Sequence, residues 1–346
     1  MNSTPSPPAF RPLGAPFAAL LVALAACYGL WIAGPAPFAP HQVLLALIEF
    51  EDTDLLSRLE GFASLWQGVV FAFLLSPWWP LRLRLGFAAA GIALAAGYQI
   101  AIARPQWWLY LYAFLSGAGL LMLAFLVQQW VFATDARKVV AGYLVRCILA
   151  FAAFGVITKT FLLFSSAHAA PVLDWSALKL DAASFGFSPS EWAASSVREH
   201  GGIRRTLAIA YEMLPLAMGA VFGLEARNPG RLSFGVLNGL YVCGFAAAFA
   251  YSITPVAGPV YAFGAAFPDH LDSLLQASPD WLGTQPGYSP RNAFPSFHFG
   301  WALLALHLAA AQPWPVRAAF AAYALVIAWS TLALGEHYFI DLVANR

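Results

Sequence analysis

His298 and His337 stand 39 positions apart, and each sits in a polar cluster at the edge of an apolar run. The first cluster reads Arg291-Asn292-Ala293-Phe294-Pro295-Ser296-Phe297-His298, the second Gly335-Glu336-His337-Tyr338-Phe339-Ile340-Asp341. Asp341 lies four residues beyond His337, a spacing that shares one helix face. A carboxylate there can accept from one imidazole nitrogen and leave the other free as nucleophile or base. Ser296 is a favoured N-cap type at the start of an apolar run, and the open N–H groups of a first helical turn bind anions. Arg291 adds a forked cation suited to phosphate oxygens. Together these residue types point to phosphoryl chemistry.

The stretch between the clusters must bring both histidines to one place. It holds two apolar runs, Ser296 to Ala311 and Val316 to Leu334, joined by a short turn at Gln312 to Pro315. That is enough chain to cross a membrane and return. Seven earlier runs of comparable length lie at Phe17 to Ala33, Gly61 to Trp79, Leu85 to Ala103, Trp107 to Ala133, Val139 to Phe164, Thr206 to Leu224 and Leu232 to Thr254. A crossing needs roughly 17–25 apolar residues, and a segment in lipid must satisfy its own backbone hydrogen bonds. The expected fold is an all-α polytopic transmembrane bundle of nine spans. The ten residues from His337 to Arg346 reach about 15 Å as helix, half a crossing, which reads as a last helix cut short in a fragment of a longer chain.

Composition agrees. The chain has 346 residues, 60% hydrophobic and 10% charged, with mean hydropathy +0.68; a soluble domain carries about 25% charged residues. A net charge of +1 argues against nucleic acid as a partner, because phosphate-backbone binding needs a clustered basic surface. Cys27, Cys147 and Cys243 fall in apolar runs without metal-ligand spacing and read as small buried hydrophobes. Residues 1–16 read as a disordered Pro- and Ser-rich tail, followed by a retained first span rather than a cleaved signal. Arg11, Arg82 with Arg84, Arg137 with Lys138, Arg227 with Arg231, and Arg317 fall in every second connection. By the positive-inside rule these are cytoplasmic, so the N-terminus is inside and both histidines are at the outer face. The expected location is a bacterial inner membrane. Of the outer connections, Ser165 to Arg205 carries Asp174, Trp175, Leu178, Asp181, Phe185, Phe187 and Trp192, an amphipathic pattern of either an interfacial lid or a solvated linker.

Pro295-Ser296-Phe297-His298, followed by His337-x-x-x-Asp341, resembles the second and third motifs of the type 2 phosphatidic acid phosphatase superfamily. Phe297 and the wording Gly335-Glu336-His337-Tyr338 are similar to its inositol phosphorylceramide synthase-like branch. The resemblance runs from residue 139 to the end, so 139–346 is the expected catalytic domain, with six core helices, and 17–138 an accessory four-helix region. It implies a lipid phosphatase or inositol-phosphate-type phosphotransferase acting on a phospholipid or lipid phosphate in the bilayer, without metal or cofactor. His337 would attack phosphorus, Asp341 would orient it, and His298 would protonate the leaving oxygen and then activate the acceptor. Arg291 and Ser296 would hold the phosphate. Thr331 stands at the position of a family arginine, and the basic first motif is absent; Pro255-Val256-Ala257-Gly258-Pro259-Val260-Tyr261 takes its place and offers the Tyr261 hydroxyl. Lys159, near the outer end of its span, is a further candidate for the phosphate, or a snorkelling residue. Two other readings stand: zinc held by His298, His337 and Asp341, and an inactive scaffold or transporter, which would call for intramembrane charges along a path.

Overall fold

The computed structural model describes residues 68–102, 107–167, 172–227, 235–264, 267–268 and 291–344. The expected tail, the first span Phe17 to Ala33, the acidic stretch Glu49 to Glu60 and most of the Pro255 to Pro295 connection lie outside them. Every regular element among the described residues is helical, as expected of a chain that must satisfy its backbone within lipid.

Two compact units share the chain. The first takes, of the described residues, 68–156 and 215–238. In it Leu81–Ile102 and Trp107–Phe132 form a helical hairpin. Small residues let its backbones approach: a Cβ on Gly91 would fall 2.6 Å from that of Ala118. Phe73, Trp79, Phe87 and Phe125 form an aromatic cluster in this unit, with contacting ring centroids 5.2–6.1 Å apart. The Tyr143 hydroxyl donates to Glu225 Oε2 at 2.7 Å, which places a polar pair within this apolar unit.

The second unit takes 157–214 and, among the described residues, 239–264, 267–268 and 291–344. Its long elements are Gly235–Ile253, which begins in the first unit, and Trp314–Ala333. At 19 and 20 residues they reach about 30 Å, and both are apolar enough to cross a bilayer. Leu81–Ile102, Trp107–Phe132 and Ala136–Ala167, at 22, 26 and 32 residues, have the length of a crossing. The expected run Thr206 to Leu224 is broken at Met213 between the helices Gly201–Glu212 and Leu214–Glu225. Phe297–Leu308, with the 3₁₀ turn Ala309–Ala311, is shorter than a full crossing. Among the described residues, then, nine uninterrupted spans are not reached. Large apolar side chains exposed on these helices, among them Leu94, Val131, Leu149, Val242, Phe249 and Leu325, suit a lipid-facing surface; this is an integral membrane protein.

Among its described residues, the connection between residues 165 and 205 is not a solvated linker. It folds into the helices Asp174–Phe185 and Pro189–Arg198, the latter started by Ser188 as N-cap and Pro189 at its first position. Ala193 and Val197 pack with Leu207, Leu332, Ala333 and Leu342. Ala177 and Leu178 pack with Val256, Phe263, Ala293 and Tyr338. Both clusters support the chain around His337.

Candidate active site

Phe297–Leu308 and Trp314–Ala333 pack together and turn back at Gln312 and Pro313. The residues before the first and after the second therefore meet at one end. His298 lies in the first turn of its helix; His337 lies in the loop beyond the second, and their ring centroids are 6.4 Å apart. Ser296 caps the His298 helix, its side chain accepting from Phe299 N, while its own N–H donates to the Asp341 carbonyl at 3.0 Å. That backbone bond ties the two polar clusters directly.

His337 is 3% exposed. Its Nδ1 lies 2.8 Å from the Ala293 carbonyl oxygen and 3.6 Å from Asp341 Oδ2. A carbonyl can only accept, so Nδ1 carries a hydrogen, and in the neutral ring Nε2 keeps its lone pair. Asp341 Oδ2 in turn accepts from the Tyr338 N–H at 2.7 Å, the side chain of a third helical residue capping Phe339–Val343. The carboxylate is thus at ion-pair range of the imidazole, and the nearer hydrogen-bond partner is backbone.

Two glycines make this loop possible. Gly335, at φ 76°, ends the long helix. Gly258, at φ 100°, passes so close to the loop that a Cβ would lie 2.3 Å from the Glu336 carbonyl oxygen. Val260 N donates to Gly335 O, and Ala293 N to Val256 O, so the segments 256–260, 291–296 and 335–341 form one backbone-bonded core.

Asp174 and Asp181 complete that core, both on the Asp174–Phe185 helix and almost fully buried. Asp174 accepts from Ala257 N at 2.9 Å, Gly258 N at 2.8 Å and the Tyr338 hydroxyl at 2.9 Å. Asp181 accepts from Phe339 N at 2.8 Å and Ile340 N at 3.0 Å. Burial pushes both carboxyls up to about 6, against the hydrogen bonds that favour their charged forms. An amphipathic helix normally turns acids to water; this one turns them inward and exposes Leu180 and Phe185. The signal was the i, i+7 spacing around Leu178, which puts both acids on one face.

Of the expected phosphate ligands, Arg291 is 6% exposed; burial lowers its basicity and the Asp174 charge opposes that. Tyr261 donates to Glu336 Oε1 at 3.1 Å, and burial raises the Glu336 carboxyl while His337 and the Tyr261 bond pull it down. Thr331 is buried and its hydroxyl donates to Ala328 O within its own helix. Lys159 falls on Ala136–Ala167, with its side chain outside the described residues. Tyr211, which carried no sequence signal inside its apolar run, places its hydroxyl 2.8 Å from His298 Nδ1 and stacks on that ring. Among the described residues no three His, Cys, Asp or Glu side chains converge as a metal-ligand set.

A loop-borne histidine with a free Nε2, a carboxylate at ion-pair distance and a second histidine across a short gap can form and break a bond to phosphorus. Over 54 residues the chain is 50% identical to the inositol phosphorylceramide synthase catalytic subunit aur1 of Schizosaccharomyces pombe, a match covering 15% of this chain and 13% of that protein. No solved structure matches. Residues 176–345 match the family model of the PAP2 superfamily, and this C-terminal part of the chain is similar to that superfamily and to its inositol phosphorylceramide synthase-like branch.

Proposed function

We propose that the protein is a lipid phosphotransferase that works through a phosphohistidine on His337, at the non-cytoplasmic interface. The observation that carries this reading is the His337 side chain, whose Nδ1 is held on the Ala293 carbonyl while His298 stands 6.4 Å away between ring centroids. Nε2 of His337 attacks the phosphorus of a phospholipid; the N–P bond forms as the bond to the leaving oxygen breaks, and protonated His298 gives its Nε2 proton to that oxygen. Neutral His298 then takes the proton of an acceptor hydroxyl, whose oxygen bonds phosphorus as the N–P bond breaks. Asp341 balances the charge on His337. Acid–base help of this kind contributes about 10²- to 10⁴-fold, and fixed donors around the phosphoryl oxygens add more.

The acceptor is a lipid alcohol in preference to water. Thr331 and Tyr261 stand where the resemblance would place basic motifs, and both hydroxyls are bonded within the protein. With Arg291 as the cation of the polar clusters, a phosphodiester of one negative charge suits the site better than a doubly charged monoester.

The test uses the full chain in nanodiscs with two substrates: ³²P-labelled phosphatidic acid, and inositol-labelled phosphatidylinositol with ceramide. Wild type should move the inositol label from the phosphodiester to ceramide, and an acid-labile inositol-labelled adduct should form on wild type and not on His337→Ala. Wild-type turnover by His337→Ala and His298→Ala would overturn the mechanism. Release of free phosphate from phosphatidic acid alone would assign hydrolysis.

A further inference from the structure

The Tyr211 ring lies 3.9 Å from the His298 ring between centroids, inclined by 23°, and its hydroxyl is 2.8 Å from Nδ1. Two contacts from one side chain thus fix the plane of the imidazole and occupy one of its nitrogens. We propose that Tyr211 is a positioning residue for His298: its oxygen accepts the Nδ1 hydrogen, so that Nε2 is the nitrogen left for substrate in both charge states. This rests on the reading of His298 as the acid and base of the reaction.

The cycle requires that arrangement. His298 must lose a proton to the leaving oxygen and regain one from the acceptor at the same atom, or the ring would have to turn between half-reactions. An acceptor on Nδ1 serves both halves, because Nδ1 keeps its hydrogen while Nε2 alternates. A hydroxyl that donated to Nδ1 would instead leave the hydrogen of neutral His298 on Nε2 and block the second half. The helix Gly201–Glu212 is anchored beside the site, since the Tyr323 hydroxyl donates to the Ala210 carbonyl at 2.8 Å, one residue before Tyr211. Leu207 is packed against Val197 and Leu332.

Tyr211→Phe keeps the stacked ring and removes only the oxygen. On the full chain labelled with ¹⁵N-histidine, His298 is assigned by loss of its signals in His298→Ala. Wild type should show the Nδ1–H tautomer, and Tyr211→Phe a mixture of tautomers. With the lipid substrate that wild type turns over, Tyr211→Phe should lower kcat at least tenfold and leave KM within twofold. A wild-type Nε2–H tautomer, or an unchanged tautomer in Tyr211→Phe, overturns the inference, also where kcat falls, since the loss would then be structural. Wild-type turnover by Tyr211→Phe beside an inactive His298→Ala overturns it while leaving the role of His298 intact. Wild-type turnover by His298→Ala overturns that role itself.

Discussion

Replacing Asp174 tests whether the helix Asp174–Phe185 holds the His337 loop. Its carboxylate serves three donors, Ala257 N, Gly258 N and the Tyr338 hydroxyl, with no exposed surface. A buried donor left unmade costs roughly 1–3 kcal/mol, so Asp174→Ala should lose about 3–5 kcal/mol after partial relaxation. Asp174→Asn keeps the shape but turns an amide N–H₂ toward at least one donor, and should lose about 1–2 kcal/mol on the same scale. The sign of the pH dependence separates this from a generic packing defect. Burial raises the Asp174 carboxyl to about 6 from an ordinary 3.8, so the folded state holds its proton more tightly than the unfolded one. The associated stability is fully present below the unfolded value and is lost as pH rises through about 6. A shift of about two units corresponds to about 3 kcal/mol, or several degrees in Tm for a domain of this size. Thermal unfolding in detergent micelles from pH 4 to 7.5 reads it: the gap between wild type and Asp174→Asn should be larger at pH 4.5 than at pH 7.5. A gap that stays constant across that range, or an Asp174→Ala protein as stable as wild type, refutes the reasoning.

Asp181→Ala strips the acceptor from Phe339 N and Ile340 N; it should cost roughly 2–4 kcal/mol and lower kcat about 100-fold if the His337 loop moves by an ångström, read by Tm and lipid turnover together. Gly258→Ala should abolish turnover, because its Cβ would meet the Glu336 carbonyl oxygen at 2.3 Å on a backbone at φ 100°; wild-type kcat in this variant would contradict the close packing of the loops. Glu336→Gln keeps an acceptor for Tyr261 and removes a negative charge beside His337. It should lower KM for an anionic phospholipid several-fold at pH 8 and leave it unchanged at low pH, where the carboxyl of wild type is already protonated.

The convergence of His298 and His337 was legible because two apolar runs and a short turn leave the chain little choice but to return. The helical class was legible for the same reason, since only helices satisfy so apolar a chain. The breaks within the apolar runs were not. Hydropathy averaged over a run passes over the break at Met213, although Glu212 and Pro215 flank it, and over the short reach of Phe297–Leu308.

Within the site, what could be read was side-chain identity, and what escaped was backbone. Asp341 at i+4 from His337 was visible as a same-face pair, yet the nitrogen it was expected to hold lies nearer the carbonyl of Ala293, 44 positions away. Any residue can supply a carbonyl, so no sequence pattern marks it. The same blindness explains Asp174 and Asp181. Their spacing put them on one face, and the ordinary expectation sent that face to water; it points inward because five donors, four of them backbone N–H groups, need acceptors there. A loop between two helices cannot satisfy its own backbone as a helix would. Carboxylates brought from a neighbouring helix are a solution to that need, and buried acids at helical spacing beside an apolar bundle are the sequence trace it leaves.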